Sequence, residues 1–159
     1  MIEIKESEEK YAKEMSEIIQ DNMYKINIKD HGKEVIDKLS KHFTEEQIKK
    51  NFHNRTKCFV AVDGNEVVGT ASIDKFKGDE CGTKYIILTV FVKIEKHRQG
   101  IGKSLIGKIE QYAKSIGAKE LVIPASIYGV EFYQKLGYDY CNGKKELNED
   151  KEYILVKYL

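Results

Sequence analysis

One segment of the chain connects a strand pattern to a helix pattern. It reads His97-Arg98-Gln99-Gly100-Ile101-Gly102-Lys103. Before it, residues 85–92 read Tyr-Ile-Ile-Leu-Thr-Val-Phe-Val, a run typical of a strand buried on both faces. After it, apolar residues recur at helical spacing, and Gly117 follows where a helix would end. These apolar residues are Ile101, Leu105, Ile109, Tyr112 and Ile116. The two glycines of the stretch are therefore predicted in a loop that leads into the first turn of a helix.

This loop has the features of a phosphate-binding site. Backbone N–H groups in the first turn of a helix have no partners inside the helix, and the helix dipole favours negative charge there. Gly100 and Gly102 have no side chains that would keep a ligand away from the backbone. Arg98 and Lys103 add positive charge on either side. We therefore expect the loop to bind a phosphorylated compound.

Two common nucleotide-binding motifs do not fit this loop. Gly102-Lys103-Ser104 matches the end of a P-loop, but that motif needs a glycine where His97 stands. In the dinucleotide-binding fingerprint, the third glycine would fall on Leu105. The acidic ribose partner of that fingerprint should close a strand, whereas Glu120 opens one. A P-loop hydrolase or small kinase, which would bind ATP and Mg²⁺, is thus disfavoured.

The same residues resemble the signature of a known superfamily. A buried strand, a short charged loop, Arg-Gln-Gly-Ile-Gly-Lys at residues 98–103 and an amphipathic helix are similar to the motif Gln/Arg-x-x-Gly-x-Gly/Ala. This motif is that of the GNAT superfamily, the acyl-CoA-dependent N-acyltransferases, and Gly100 and Gly102 match its glycines. The sequence departs from the family at His97, the first position of the motif, and at Ile94, which replaces a common proline.

A second segment carries the same resemblance. Residues 123–126 read Ile-Pro-Ala-Ser and residues 130–138 read Val-Glu-Phe-Tyr-Gln-Lys-Leu-Gly-Tyr, similar to the strand–helix–strand unit that closes the cofactor site of the family. Ser126 stands where the family usually has Asn, and it is a competent N-cap for the helix. Pro124 cannot donate a backbone hydrogen bond, so we expect strand pairing to weaken there and open an edge.

The resemblance implies a function and a set of site residues. It implies transfer of the acetyl group of acetyl-CoA to a primary amine of a small molecule or peptide, by direct attack on the thioester. The pantetheine would pair with the end of the central strand, the pyrophosphate would bind the glycine loop, and an N–H of Phe91 or Val92 would meet the oxyanion. The implied cofactor-binding residues are Val90, Phe91, Val92, His97, Arg98, Gln99, Gly100, Ile101, Gly102, Lys103 and Ser126.

Tyr133 occupies the position at which the family uses a tyrosine as general acid for the departing thiolate. A phenol stays protonated at neutral pH and can therefore act as a donor. The general base stays open, with Asp74, Asp79, Glu80 and Tyr85 as weak candidates.

A second function also stays open, in which the same fold binds acyl-CoA as a sensor or regulatory module without catalysis.

Composition and charge disfavour several classes of protein. The length of 159 residues fits one ordinary domain, so we expect a single domain over residues 1–159. The 27 basic and 26 acidic residues are well mixed and give a net charge of +1, which disfavours a nucleic-acid partner. Neither a signal peptide nor an apolar run long enough for a membrane helix is visible, so we expect no membrane association and a cytoplasmic location.

The cysteines and histidines give no sign of a metal site. The three cysteines are odd in number and widely spaced, which argues against a disulfide framework and against zinc, and we expect no metal. His31, His42 and His53 lie in helical patterns without a partner at ligand spacing, and we expect them at the surface. Cys141 is expected in the core. Because dimers are common in the family, the resemblance also allows a homodimer.

The remaining patterns predict an α/β fold: a GNAT-like mixed, mostly antiparallel sheet with helices on both faces and a central parallel strand pair. Residues 22–32 are rich in Asn, Asp, Lys and Gly and predict a loop. Ser7 is expected to cap the first helix, Thr44-Glu45-Glu46-Gln47 predicts a capping box, and Asp63-Gly64-Asn65 predicts a hairpin. The predicted helices cover residues 8–23, 35–43, 45–52, 101–116 and 128–136, and the predicted strands cover residues 2–4, 57–62, 66–75, 85–92, 120–123, 138–141 and 153–157.

Overall fold

A computed structural model describes residues 1–159 as one seven-stranded sheet with helices on both faces. The strands are β1 (Ile2–Glu6), β2 (Lys57–Asp63), β3 (Glu66–Lys75), β4 (Lys84–Val92), β5 (Glu120–Ser126), β6 (Asp139–Tyr140) and β7 (Glu152–Tyr158). The α-helices are α1 (Ala12–Asn22), α2 (Ile28–His31), α3 (Lys33–Ser40), α4 (Glu45–Asn54), α5 (Ile101–Ser115) and α6 (Val130–Lys135). Short 3-10 turns cover Glu9–Tyr11, Lys41–Phe43, Ile94–Lys96, Ile127–Gly129 and Cys141–Gly143, and Met23–Asn27 is a π-helical segment.

The order of strands across the sheet is β1-β2-β3-β4-β5-β7-β6. Every neighbouring pair is antiparallel except β4 and β5, which run parallel at the centre. A parallel pair needs a long crossover, and α5 provides it between these two strands. The predicted fold class is confirmed.

Alternating residues of β2 show how the sheet separates two apolar cores. Phe59 and Ala61 pack in the core that contains the buried face of α5, whereas Val60 and Val62 pack in the core formed with α1, α3 and α4. This alternation follows from the two-residue period of a strand. The α5 core is the larger, and its helix contributes Ile101, Leu105, Ile106, Ile109 and Ala113.

The pairing of β4 with β5 is limited to the first part of both strands. The paired residues are Lys84 with Glu120, Tyr85 with Leu121 and Ile86 with Val122. Beyond them the strands diverge, while β5 continues to pair with β7 as far as Ser126. The weakening expected at Pro124 is thus confirmed on the β4 side. On the β7 side, β5 extends to Ser126 and is longer than predicted. Pro124 lies opposite Ile154 of β7 and does not end the strand there.

The segment predicted as a loop over residues 22–32 is helical, so that prediction was wrong. From the end of α1, the π-helical turn and α2 continue the helical backbone until Gly32, which has a φ of 81°. One face of this helical segment packs inside the protein although its overall composition is polar. Met23 and His31 are buried there, and Ile26 and Ile28 are half-buried. Packing of these side chains overrides the weak local helix propensity.

The predicted caps have mixed outcomes. The Thr44 hydroxyl accepts a hydrogen bond from the Gln47 amide at 3.3 Å, which confirms the cap of α4. Ser7 does not cap a helix, because a 3-10 turn precedes α1 and the Ser7 hydroxyl donates to the Met15 sulfur instead. Ser126 precedes a 3-10 turn, and its side chain makes no capping hydrogen bond. The hairpin between β2 and β3 is confirmed.

Two burial predictions were wrong. Only the first half of β4 is fully buried, at Tyr85 and Ile87, because Leu88 to Val92 line an open cavity. His31 is 8% exposed, whereas His42 and His53 lie at the surface as expected.

The cysteines are all free thiols, and Cys141 lies half-buried in a 3-10 turn rather than in the core. None of the helices combines the length and apolar character that crossing a membrane requires.

Candidate active site

A cavity of about 960 Å³ opens where β4 and β5 diverge. One wall consists of the helical segment from Asn22 to Phe43, and the opposite wall consists of the glycine loop, the first turn of α5 and α6. The floor includes residues 87–92 of β4 and residues 123–126 of β5. The unpaired ends of the two central strands therefore face a space large enough for an extended ligand.

Most of the residues expected to bind the cofactor lie around this cavity. Val90, Phe91, Val92, His97, Arg98, Gly100, Ile101, Gly102, Lys103 and Ser126 line it, as does Tyr133. Gln99 does not, because its side chain points to solvent and lies 3.5 Å from the carbonyl of Glu95. Ile101 contributes mainly to the core, with 2% of its surface exposed.

The glycine loop presents unpaired N–H groups to the cavity. The first helical hydrogen bond of α5 runs from the Ser104 amide to the Gly100 carbonyl, so the preceding amides of residues 101–103 have no helical partner. Gly100 has a φ of 83°, a left-handed conformation that favours glycine. A Cβ atom at Gly100 would meet nothing within 4 Å, which shows that the space in front of the loop is open.

Close packing inside the chain favours a glycine at position 102. A Cβ atom there would lie 3.0 Å from the Cζ atom of Phe132, so the ring of α6 contacts the first turn of α5 directly. This contact fixes the distance between the glycine loop and the helix that carries Tyr133.

The carbonyl of Val92 anchors the end of β4 to both walls of the cavity. It accepts a hydrogen bond from the Nδ2 atom of Asn22 at 2.9 Å and one from the Nε2 atom of His97 at 2.8 Å. Because a carbonyl only accepts, the Nε2 atom of His97 carries the proton. His97 therefore fixes the glycine loop to the strand, a side-chain role that the sequence did not indicate.

The amide of Val92 faces the open edge of the strand. The Lys93 amide donates to the Val68 carbonyl of β3 at 2.8 Å, and backbone groups of successive residues in a strand point to opposite sides. Phe91 lies opposite Thr70 of β3, and Thr89 has a φ of 57° in a bulge. Of the two amides expected near an oxyanion, the one of Val92 is thus the one that points into the cavity.

Tyr133 is held by aromatic neighbours and is 9% exposed. Its ring packs edge-on against Phe132 and Tyr138, with centroid distances of 5.1 and 6.3 Å. Burial raises the pKa of the Tyr133 phenol above its usual value, so the hydroxyl stays protonated at neutral pH. A buried phenol that lines the cavity can donate a proton or a hydrogen bond there.

Comparison with protein-family models gives a match to the acetyltransferase (GNAT) domain over residues 27–151. The chain belongs to the GNAT acetyltransferase family. The match spans helices α2 to α4, the glycine loop and the α6 segment, and it confirms the resemblance of the sequence. No curated protein matches this GNAT chain.

Solved structures share the fold of this GNAT chain at low sequence identity. PaiA N-acetyltransferase from Thermoplasma acidophilum in complex with coenzyme A is 17% identical, with a TM-score of 0.83, and the match covers 100% of this chain and 99% of that one. Ribosomal-protein-alanine N-acetyltransferase from Brucella melitensis is 18% identical, with a TM-score of 0.74 and 99% of each chain covered. The protein yncA from Salmonella typhimurium, in a structure with its cofactor acetyl-CoA, is 12% identical, with a TM-score of 0.74, and the match covers 99% of this chain and 92% of that one.

The four weak candidates for a general base lie away from the cavity of this GNAT chain. Asp79, for example, accepts hydrogen bonds from the amides of Thr83 and Lys84 and stabilises a turn, which lowers the pKa of its carboxyl. Sequence reasoning missed Arg55, His31, Asp150 and Glu152, all of which line the cavity. No local pattern marks them, because long-range packing brings them together. No group of three metal-ligating side chains forms in the chain.

Glu152 has the most unusual carboxyl of the cavity. It lies at the start of β7 opposite Ser126, and burial raises its pKa to about 7. The unfolded carboxyl loses its proton near pH 4.5, whereas the folded one keeps it until about pH 7. The folded state therefore binds more protons in this interval, and stability falls as the pH rises through it.

We expect Glu152→Gln to stabilise the chain in a pH-dependent way. The variant should gain on the order of 3 kcal/mol over the wild type at pH 8 and almost nothing below pH 4.5, because the pKa rises from 4.5 to about 7 and each pKa unit corresponds to about 1.4 kcal/mol. Urea unfolding of both proteins across this pH range measures the difference. Glu149→Gln, at an exposed position of the same segment, is the control and should show no such trend. An equal effect of Glu152→Gln at all pH values would contradict the raised pKa.

Proposed function

We propose that this GNAT chain is an N-acetyltransferase that moves the acetyl group of acetyl-CoA to a primary amine. The observation that carries the proposal is the unpaired edge of β4 beside the free N–H groups of α5 in one cavity. An extended thioester can pair with the edge while its pyrophosphate meets the helix N-terminus. The bound coenzyme A of the Thermoplasma acidophilum protein supports this choice of co-substrate.

The loop would hold the pyrophosphate mainly through hydrogen bonds. The dipole of a helix contributes only about 0.3–1 kcal/mol to binding a charge at its N-terminus, so the amides of residues 101–103 carry most of the interaction. Arg98 and Lys103 line the cavity and take part in none of the ion pairs of the chain, so both can neutralise phosphate charge. The pantetheine would pair with Val90 and Val92.

The chemistry follows from the groups that face the thioester. The nitrogen of the neutral amine attacks the thioester carbon, the new C–N bond forms, and the C–S bond breaks. The Val92 amide would donate to the oxyanion, and Tyr133 would give its proton to the departing thiolate. Glu152 is our candidate for the group that takes the proton from the amine, because it lines the cavity and has a pKa of about 7. A pKa near the pH of the reaction allows a carboxylate to accept a proton efficiently, as a general base must.

We expect Gly100→Glu to abolish acetyl-CoA binding. The new side chain would place bulk and negative charge in the open space before the loop. Calorimetric titration with acetyl-CoA measures the affinity. Gly117→Glu is a matched control, since Gly117 has a φ of 82° and equally open surroundings at the other end of α5. Equal affinity in the two variants would contradict the assignment of the loop.

We expect Tyr133→Phe to lower kcat roughly a hundredfold with little change in the KM for acetyl-CoA, as for a group that acts in the transition state. Release of free CoA thiol measures both constants. Tyr138→Phe is the control, because this buried neighbour donates its hydroxyl to Glu110 outside the cavity. An unchanged kcat in Tyr133→Phe would mean that the ring only packs. Tight acetyl-CoA binding without turnover of any amine would favour the sensor module instead.

A further inference from the structure

Arg55 is a half-buried cation without a negative partner. It follows α4 directly, and its Nη1 atom donates to the hydroxyl of Ser72 at 2.7 Å and to the hydroxyl of Thr89. Both acceptors are uncharged. None of the ion pairs in the structure includes Arg55.

The surroundings of Arg55 leave its charge uncompensated. Burial lowers the pKa of the guanidinium, yet an arginine keeps its proton at neutral pH. The carboxylate of Asp74 acts on the guanidinium electrostatically, but it makes no contact within ion-pair distance and accepts hydrogen bonds from Thr56 and Lys75. A charge removed from water without a partner is costly, so this site favours an incoming anion.

The Nε and Nη2 atoms of Arg55 make no hydrogen bond within the chain. A guanidinium has five N–H groups, and the two hydroxyls use only those of Nη1. A side-chain nitrogen or oxygen that is both closed off from solvent and without a hydrogen bond occurs once in the chain, at the Nδ1 atom of His31. The free nitrogens of Arg55 are not in this class. The Nε and Nη2 atoms of Arg55 are therefore not sealed in the core, and Arg55 lines the cavity.

Arg55 lies beside the bulge of β4, where it contacts Thr89. Its partner Thr89 is the bulge residue directly before Val90, and β4 here faces the helical wall that contains Asn22 and Ile36. The glycine loop, which would bind the pyrophosphate, has its own cations in Arg98 and Lys103. Arg55 is thus a separate positive group near the end of the strand segment that would hold the thioester.

We propose that the acceptor amine carries a carboxylate and that Arg55 binds it. This inference rests on the proposed acetyl transfer and names its substrate class: an amino acid or another small amine with a carboxylate. A planar guanidinium matches a carboxylate with two parallel N–H bonds. Asp150, which lines the same cavity, would repel a doubly charged phosphate more strongly than a singly charged carboxylate, and it would attract the ammonium group of an amino acid.

The test compares acceptors that differ only in the carboxylate. The pairs are alanine with ethylamine and lysine with 1,5-diaminopentane, and phosphoethanolamine provides the phosphate arm. Free CoA release and the mass of the product give kcat/KM for each acceptor. We expect the carboxylate member of at least one pair to be preferred roughly tenfold to hundredfold, the effect of a hydrogen bond to a charged group. Equal or better use of the amines without carboxylate, or preference for phosphoethanolamine, would overturn the proposal.

Variants of Arg55 separate binding from structure. Arg55→Gln should raise the KM for the carboxylate acceptor and remove the preference, and Arg55→Lys should restore part of it. Ser72→Ala, which removes a neutral partner of Arg55 but keeps the cation, should retain the preference. Acetyl-CoA affinity shows that each variant is folded. A fall in kcat for all acceptors alike with unchanged KM would contradict a carboxylate site. Absence of product from every amine would instead refute the proposed acetyl transfer itself.

Discussion

The incomplete pairing of β4 and β5 is the constraint on which the site depends. Three residue pairs hold the two parallel strands together at the centre of the sheet, and beyond Ile86 and Val122 the strands diverge. A strand edge left inside a protein presents unpaired backbone groups, which a ligand can pair with. The fold stabilises this opening from both sides. On one side β5 stays paired with β7 through Ser126, and on the other the Val92 carbonyl is held by Asn22 and His97.

The cavity is lined by charged groups of both signs. The end at the glycine loop has free helix N–H groups and two unpaired cations, which suits a pyrophosphate. Arg55 lies beside Thr89 of β4, and Asp150 and Glu152 also line the cavity. This mixture of signs would suit an acceptor with both an amine and an acid group. The thioester would lie between these groups, beside the Val92 amide and Tyr133. Under the proposed function, this arrangement would give the two substrates separate binding regions around one reacting centre.

The elements predicted well from the sequence are those with local signals. The strand before the glycine loop, the helix after it and the hairpin at Gly64 follow from periodicity and turn residues, and the structure has them within a residue or two. The helical segment over residues 22–32 was missed because its buried face depends on packing against distant parts of the chain. Arg55, His31 and Glu152 were missed for the same reason, since they meet only when distant parts of the chain fold together.

The most direct test of the account is amide hydrogen exchange of Val90 and Val92 with and without saturating acetyl-CoA. In the free protein the Val92 amide points to an open edge, and in the complex it should pair with the co-substrate. We predict clear slowing of exchange at these two residues and at residues 101–103, with no change at Gly64 in the distant hairpin. Unchanged exchange at Val90 and Val92 in the presence of bound acetyl-CoA would show that the opened strand edge is not the binding surface.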